Sequence, residues 1–266
     1  MKKIARILVG VVLAIALVVV LSWGVMQLGR LYWSLLGKAQ LQTTQTQLQT
    51  QTTRQTLELS GFAVCYVQLG QFNNQANATK MVQQMAAKGI KAVALRGQPY
   101  RVAVGYYGQT DAAKDAKLLL VLKGVNSLVR QEEVNGISGS IISGDGVQVK
   151  AVLVNYGAIL AKIAKEFNVE NSVDLNENGL ANLVEEITKL QQATSVPVQT
   201  LADNSQRIIV KEMTLSLDQQ GRELIGDLRS LAGHKTGDNY NKAQYTALQL
   251  LNTYWQYIDL LQVKGN

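Results

Sequence analysis

The sequence is poor in the residues that build metal sites, disulfides and nucleophilic triads. It has one cysteine, Cys65, and one histidine, His234, among 266 residues. One cysteine gives no disulfide within a chain, and one cysteine with one histidine gives no Cys/His zinc site. Nothing around His234 resembles a nucleophile elbow, so Ser/His/Asp and Cys/His arrangements are not indicated. The sequence therefore predicts a protein that is not an enzyme, has no cofactor or metal, and is stabilised by ordinary packing.

Positive charge is concentrated in the first half of the chain. The net charge is +5 over residues 1–60, +5 over 61–134 and −3 over 135–266. A chain of this length, 47% hydrophobic, accommodates a membrane anchor and two modest folded domains.

An uncharged run near the N-terminus predicts a membrane anchor. Residues 7–29 are mostly Val, Leu, Ile and Ala, long enough to cross a hydrocarbon core of roughly 30 Å. The run is too long for a usual signal-peptide core, and Trp23, Tyr32 and Trp33 fit an interfacial aromatic belt. The basic residues 1–6 then stay cytoplasmic and the bulk lies outside a cell membrane crossed once. A cleaved signal peptide is the alternative.

Residues 30–60 are predicted to form a tether. Between Lys38 and Thr56 the chain consists mainly of Gln, Thr and a few Leu, without Gly or Pro. Such a composition buries no core and indicates a flexible segment. Leu41 and Leu48 are seven residues apart, which leaves a short helix or coiled coil as the alternative.

An internal repeat follows the tether. At an offset of 35 residues, 67–72 (VQLGQF) returns as 102–107 (VAVGYY), and Lys88-Gly89-Ile90 returns as Lys123-Gly124-Val125. Each copy reads as a strand, a Gly and an aromatic residue, a helix capped by Asn74 or Asp111, a glycine at the helix end, and a second strand. Right-handed crossovers then give a βαββαβ ferredoxin-like domain over 61–134.

The predicted sheet carries both helices on one face and leaves the other face exposed. Alternation directs Val67, Leu69, Val102 and Val104 towards the helices. Tyr66, Gln68, Arg101 and Ala103 therefore point to the open face, with Gln68 and Arg101 at its centre. Cys65 has the opposite parity to Tyr66 and is predicted to be a small buried residue.

The repeated motif resembles that of sporulation-related repeat (SPOR) domains. The residues that carry the resemblance are Tyr66 to Gly70, Phe72 and Ala78, then Tyr100 to Val102, Val104, Gly105 and Ala113. The resemblance implies a domain of bacterial division and sporulation proteins that binds peptidoglycan glycan strands stripped of their stem peptides. Gln71 stands where the family usually has a small hydroxyl residue, and Tyr106 replaces the usual proline.

Six residues are the candidate glycan contacts: Tyr66, Gln68, Gln71, Arg101, Ala103 and Tyr106. Sugars bind through hydrogen-bonding amides and guanidinium groups and through aromatic rings that cover their apolar faces. After stem peptides are removed, each muramic acid keeps a lactyl carboxylate, which we expect Arg101 to bind in a bidentate contact. Phe72 and Tyr107 are interpreted as seals over the strand-to-helix turns.

The C-terminal half is predicted to be helical. Residues 135–146 are a Gly/Ser-rich linker, since they lack the Lys-Ser/Thr ending of a phosphate loop. Helical patterns over 147–167, 176–192, 202–231 and 238–263 predict an all-α bundle domain over 147–266. The first run is apolar almost all round, so a membrane-inserted helix is the alternative to a buried one.

Three functions compete on this sequence. The first is a wall-binding adaptor that acts where the septal wall is remodelled. The second is a membrane scaffold whose bundle recruits division or sporulation proteins. The third, nucleic-acid binding, shares the strand order, but the aromatic RNA-recognition signature is absent and the topology places the domain away from nucleic acid.

Overall fold

The computed structural model describes residues 54–134, 138–142, 146–168, 175–204 and 208–262, within one compact unit over residues 51–266. The predicted cytoplasmic segment 1–6, the transmembrane helix 7–29 and the tether up to residue 53 lie outside the described residues. The elements are, in chain order, β1 (Arg54–Glu58), β2 (Phe62–Phe72), α1 (Gln75–Ala87), β3 (Val93–Leu95), β4 (Tyr100–Tyr107), α2 (Thr110–Leu122), β5 (Leu128–Val134), β6 (Ser138–Ile142), α3 (Gly146–Glu166), α4 (Glu177–Asn204), α5 (Ile208–Gly233) and α6 (Gly237–Gln262).

The repeat folds into the predicted four-stranded sheet. The strand order is β3-β4-β2-β5, and every neighbouring pair is antiparallel. The helices α1 and α2 pack on one face over a core that contains Val67, Val102 and the two equivalent alanines Ala78 and Ala113. The βαββαβ prediction is confirmed over this region.

A glycine and an aromatic ring close the end of each central strand. A Cβ on Gly105 would lie 2.4 Å from the Tyr107 ring, and a Cβ on Gly70 would lie 2.9 Å from the Phe72 ring. Gly105 also has φ +74°, a conformation that L side chains rarely adopt. The spacing from glycine to aromatic therefore recurs because the ring two residues later folds back over the glycine.

The helix ends also repeat, with one exception. Gly89 and Gly124 have positive φ, and the amide after each donates back to a carbonyl of the last turn. Asn74 caps α1, since its Oδ1 accepts from the Asn77 amide at 2.9 Å. The prediction that Asp111 caps α2 is wrong: the helix starts at Thr110, and Asp111 lies inside its first turn.

Two segments predicted to be irregular form a ribbon. Strands β1 and β6 pair antiparallel, from Arg54 opposite Ile142 to Glu58 opposite Ser138. The tether prediction is therefore wrong at 54–58, and the linker prediction is wrong at 138–142. Backbone pairing between segments that flank the repeat is a long-range contact, and their Gln, Thr, Gly and Ser content gave no apolar alternation that predicts it.

Four helices form the C-terminal bundle among the described residues. α3 alone of the described helices is long and apolar enough to cross a membrane, yet Val152, Leu153 and Leu160 are fully buried within the protein core. α4 extends well beyond the predicted end, through Pro197 to Asn204. Val198 and Leu201 after the proline are buried in the core, so packing outweighs the helix-breaking signal.

The bundle packs against the sheet and forms one continuous core with it. Val64, Tyr66, Ala103 and Tyr106 of the sheet share this core with residues of α3 and α6. The prediction of a sheet face left uncovered is therefore wrong over β3, β4 and much of β2. The physical reason is that two bundle helices bury apolar surface against the sheet: α6 packs on β3 and β4, and α3 packs on β2 and β4.

Candidate functional site

The predicted alternation of the two central strands is observed, with two bulges. Cys65, Val67 and Leu69 face α1 and α2, while Val64, Tyr66 and Gln68 face the bundle side. One register shift lies between Gln68 and Gly70, and another lies opposite Cys65 and Val67. They restart the alternation, so Gln71 pairs with Arg101 on the bundle side, and Tyr106 joins that side as well.

Four of the six candidate contacts are buried, and three of them, Tyr66, Ala103 and Tyr106, lie in the core shared with the bundle. Tyr66, Ala103 and Tyr106 have no exposed surface, and Gln68 is 4% exposed. The Tyr106 hydroxyl donates to the Leu160 carbonyl of α3 at 2.8 Å. In this conformation neither tyrosine ring is available to cover a sugar, because both rings are part of the core.

The other part of the same face carries a polar strip that helices do not cover. We define the polar strip as Gln68, Gln71, Arg101, Arg130 and Glu132. The Arg101 guanidinium reaches across β2, where Nη1 donates to the Tyr66 hydroxyl at 3.0 Å and forms an ion pair with Glu132 on β5. Arg130 Nε donates to Gln68 Oε1 at 3.2 Å. Three strands therefore contribute to one hydrogen-bonded surface.

Accessibility differs along the polar strip. Gln71 and Arg130 are exposed, and the Arg101 and Glu132 side chains are 29% and 23% exposed. Leu128, which lies opposite Gln68 on β5, is exposed beside them. The groups that remain open to a ligand are thus an amide and two guanidinium groups.

The local electrostatics follow from burial beside these cations. Burial raises the pKa of Tyr66, and the nearby charges of Arg101 and Arg130 offset part of that rise. Burial also raises the pKa of Tyr106 well above its usual value. Both phenols are therefore neutral hydrogen-bonding groups at physiological pH.

Sequence reasoning missed Arg130 and Glu132. The alternation of β5, with Val129 opposite Val67 and Arg130 opposite Tyr66, placed both charged residues on the face of Gln68. That signal is present in the sequence, although the predicted site uses the alternation of the two central strands alone. The edge strand is the part of this face that the bundle leaves open.

The remaining predictions for the sheet domain concern packing. Cys65 is buried, and burial raises the pKa of its thiol. The Tyr107 ring lies in the core under α1 and α2, and its hydroxyl donates to Gln244 Oε1 of α6 at 3.4 Å. The interpretation of Tyr107 as a seal over the core is confirmed, and this residue also joins the two helical layers.

The rest of the described structure has a less suitable cleft and no arrangement of metal ligands. A cleft of about 260 Å³ between α3 and α4 is lined by Lys162, Lys165, Glu166 and Glu186, and Lys162 already pairs with Glu186 at 2.5 Å. Within the described ranges, no group of three or more His, Cys, Asp or Glu side chains is arranged to hold a metal ion. The polar strip is therefore the candidate site.

One region of the chain matches a known protein family. No curated protein sequence matches. A solved structure, the peptidoglycan binding domain of the B. subtilis cell wall lytic enzyme CwlC, is 27% identical, with 26% of this chain and 90% of that chain covered and a TM-score of 0.24. The family model of the SPOR domain matches residues 64–131, a region that runs from within β2 to within β5.

Proposed function

We propose that this protein binds peptidoglycan, as denuded glycan strands, through its SPOR domain. The observation that carries the proposal is the family match over 64–131, which coincides with the four-stranded sheet and its two helices. The match agrees with the repeated motif of Tyr66 to Gly70 and Tyr100 to Val102. The function is binding, because neither the motif nor the sheet supplies a nucleophile with an adjacent base.

The proposal includes the place where binding occurs. Residues 7–29 anchor the chain in the cell membrane with residues 1–6 in the cytoplasm, and the rest lies on the wall side. Strands without stem peptides arise where amidases act, so we propose that the protein works at septal wall remodelling during division or sporulation. Division or sporulation proteins are its candidate protein partners.

A glycan on this surface follows the polar strip. The bundle covers Tyr66, Ala103 and Tyr106, which leaves Gln71, Arg101 and Arg130 as the accessible hydrogen-bonding groups on that face. Amide and guanidinium groups match sugar hydroxyls and carboxylates, and Leu128 offers a small apolar contact. The ligand therefore lies towards β5 instead of across the centre of the sheet.

The two guanidinium groups have different roles in this proposal. Among the residues that the structure describes, Arg101 has a carboxylate partner, Glu132, whereas Arg130 contacts the neutral Gln68 amide. A lactyl carboxylate on muramic acid can pair with Arg130 without displacing an internal ion pair. Arg130 is thus the main anion contact, and Arg101 holds Tyr66 and Glu132 in place at the side of the strip.

The test is sacculus binding by the full chain in mild detergent. Wild type is compared with Arg130→Gln, Gln71→Ala and Arg101→Gln on amidase-treated sacculi, with untreated sacculi as reference. We expect Arg130→Gln to weaken binding by about tenfold, since a charge-assisted contact contributes on the order of 1.5 kcal/mol. Added salt should weaken wild-type binding and should affect Arg130→Gln less.

A matched control separates this site from general positive charge. Arg229→Gln removes an exposed arginine on α5, in the bundle, and should leave sacculus binding unchanged. Equal binding by wild type and Arg130→Gln, both folded, excludes the polar strip as the contact surface. Absence of wild-type binding to treated sacculi contradicts the function itself.

A further inference from the structure

The end of α2 exposes an unusual amount of aliphatic surface. Leu118, Leu119, Val121 and Leu122 are 61%, 50%, 49% and 84% exposed. Leu120 between them is buried in the core of the sheet domain. We name the four exposed residues the α2 patch. Large aliphatic side chains gathered at one exposed place mark an interaction surface more often than scattered ones do.

The repeat shows that the fold does not require the α2 patch. The equivalent positions of α1 carry Gln83, Gln84, Ala86 and Ala87, and these residues are exposed too. Two of the three buried positions of α2 are buried in α1 as well: Ala78 corresponds to Ala113, and Met85 corresponds to Leu120. Since α1 packs on the same sheet without outer aliphatic residues, the patch is a property of the outer surface of α2.

Charge is distributed around the α2 patch in a definite way. The outer side of α2 begins with Asp111, Lys114 and Asp115 and becomes aliphatic only in its last two turns. At the helical period, Lys117 and Lys123 lie on opposite sides of the aliphatic residues. The two helices and their flanking turns contain six lysines and two aspartates, so this side of the domain is basic; the lysines are Lys80, Lys88, Lys91, Lys114, Lys117 and Lys123.

We propose that the α2 patch docks on the surface of a membrane that contains anionic phospholipid. Aliphatic side chains bordered by lysines are the arrangement that inserts shallowly into the headgroup region while the cations pair with lipid phosphates. The partner is chosen by charge complementarity: a basic rim around an apolar centre matches an anionic bilayer. The proposal concerns a surface distinct from the polar strip, which lies on the other face of the sheet.

Chain length is compatible with this docking if the anchor of the proposed function is present. Residues 30–53 connect residue 29 to β1, and 24 extended residues span at most roughly 80 Å. Docking of α2 would hold the sheet with the helix layer towards the membrane. The opposite face, which carries the polar strip, would then be directed away from the membrane and towards the wall.

The experiment places the full chain in vesicles. A fluorophore is attached to Asn126→Cys, in the exposed turn after α2, in a Cys65→Ala background. Vesicles of phosphatidylcholine alone are compared with vesicles that also contain phosphatidylglycerol, and each carries a brominated quenching lipid. We expect at least twofold stronger quenching in the anionic vesicles, and a loss of this excess when salt is raised. The same label at Asn178→Cys, on α4, is the positional control.

The repeat supplies the decisive variant. Leu118→Gln, Leu119→Gln, Val121→Ala and Leu122→Ala together give α2 the outer residues of α1, so the variant is expected to fold. Quenching at position 126 should fall to the level seen in phosphatidylcholine. The matched control, Ile208→Gln with Ile209→Gln, removes two exposed aliphatic residues from α5 and should leave quenching unchanged.

The outcomes distinguish membrane docking of the α2 patch from a protein contact at the same patch. Equal quenching at 126 and 178, or undiminished quenching in the four-residue variant, overturns membrane docking. Cross-linking of position 126 to another protein or to a second copy, without quenching, also overturns it and assigns the patch to a protein partner. Sacculus binding is measured on the same variants. If the wild type shows the expected quenching but does not bind sacculi, the glycan proposal alone is contradicted.

Discussion

Two helical layers cover the same sheet, and they differ in origin. α1 and α2 each follow a strand of the sheet on which they pack, as parts of two βαβ units. α3 and α6 come from the C-terminal region and reach the opposite face only through contacts between residues far apart in the chain. The first layer is a local consequence of the repeat, and the second depends on tertiary packing.

The second layer, formed by α3 and α6, makes specific hydrogen bonds, ion pairs and apolar contacts with the sheet domain. The Arg96 amide donates to Asn252 Oδ1 at 2.8 Å, and the Arg96 side chain pairs with Asp259. Tyr66 and Tyr106 are fully buried against the bundle. The face that the sequence predicts to be open for a ligand is mostly core, and the candidate site lies towards the edge strand β5.

The largest expected effect comes from breaking the second layer at its centre. Tyr106→Ala removes a fully buried ring and the hydrogen bond to the Leu160 carbonyl. We expect a loss of about 3–5 kcal/mol in the free energy of unfolding, measured by urea titration. Tyr100→Ala, at the partly exposed start of β4, should lose clearly less. Equal losses would mean that the bundle does not pack on the sheet as described.

The next effect sharpens the comparison within the first layer. Gly105→Ala places a Cβ against the Tyr107 ring at a positive φ, and we expect a loss of about 2–4 kcal/mol. Gly89→Ala has the same sign of φ but open space around it, so about 1 kcal/mol is expected. Denaturant midpoints of the two variants give the comparison. Similar midpoints would contradict the role given to the ring.

A third effect tests the residue that joins both layers. Burial raises the pKa of Tyr107 to about 12, from an ordinary value near 10. Between these values the unfolded chain releases a proton that the folded chain keeps, so stability falls as pH rises from about 10 to 12. The contribution lost is about 2 kcal/mol. Unfolding measured across this range should show a shallower decline for Tyr107→Phe, and an unchanged slope would contradict the burial.

The smallest effect distinguishes the two repeat helices. Asn74→Ala removes the side-chain cap of α1, and we expect a loss of about 1 kcal/mol. Gln109→Ala at the start of α2 removes no capping hydrogen bond and should change stability by only a few tenths of a kcal/mol. Thermal unfolding monitored by circular dichroism separates the two. A larger loss for Gln109→Ala would reverse the assignment.

The sequence predictions are confirmed for the layer that forms within the repeat and are less accurate for structure that depends on long-range packing. The strand order of the repeat, the glycine caps after α1 and α2, and the burial of Cys65 depend on contacts close in sequence or repeated in it, and they are confirmed. The pairing of β1 with β6 was missed, because no apolar pattern marks either strand. The predicted helix end at residue 192 is wrong, because burial of Val198 keeps α4 helical through Pro197.

For the candidate site, the sequence predicts which residues share a face of the sheet but not whether that face is exposed. Alternation and the motif placed Gln68 and Arg101 on one face, and the structure joins them to Arg130 and Glu132 through side-chain contacts. Whether that face was open could not be read from the strands themselves. Their apolar residues on the bundle side, Val64 and Tyr66, fit a ligand surface and a packed core equally well.

By itself, the sequence determined the two βαβ units, since the strands, helices and closing glycines of each unit are specified within a span of 35 residues. Only the tertiary structure decided which face of the sheet is available. The amphipathic pattern of a helix shows which side of the helix must be buried, but it does not show which other element covers that side. The apolar surfaces of α3 and α6 pack on β2, β3 and β4, whereas Gln71 and Arg130 stay exposed and Arg101 stays partly exposed.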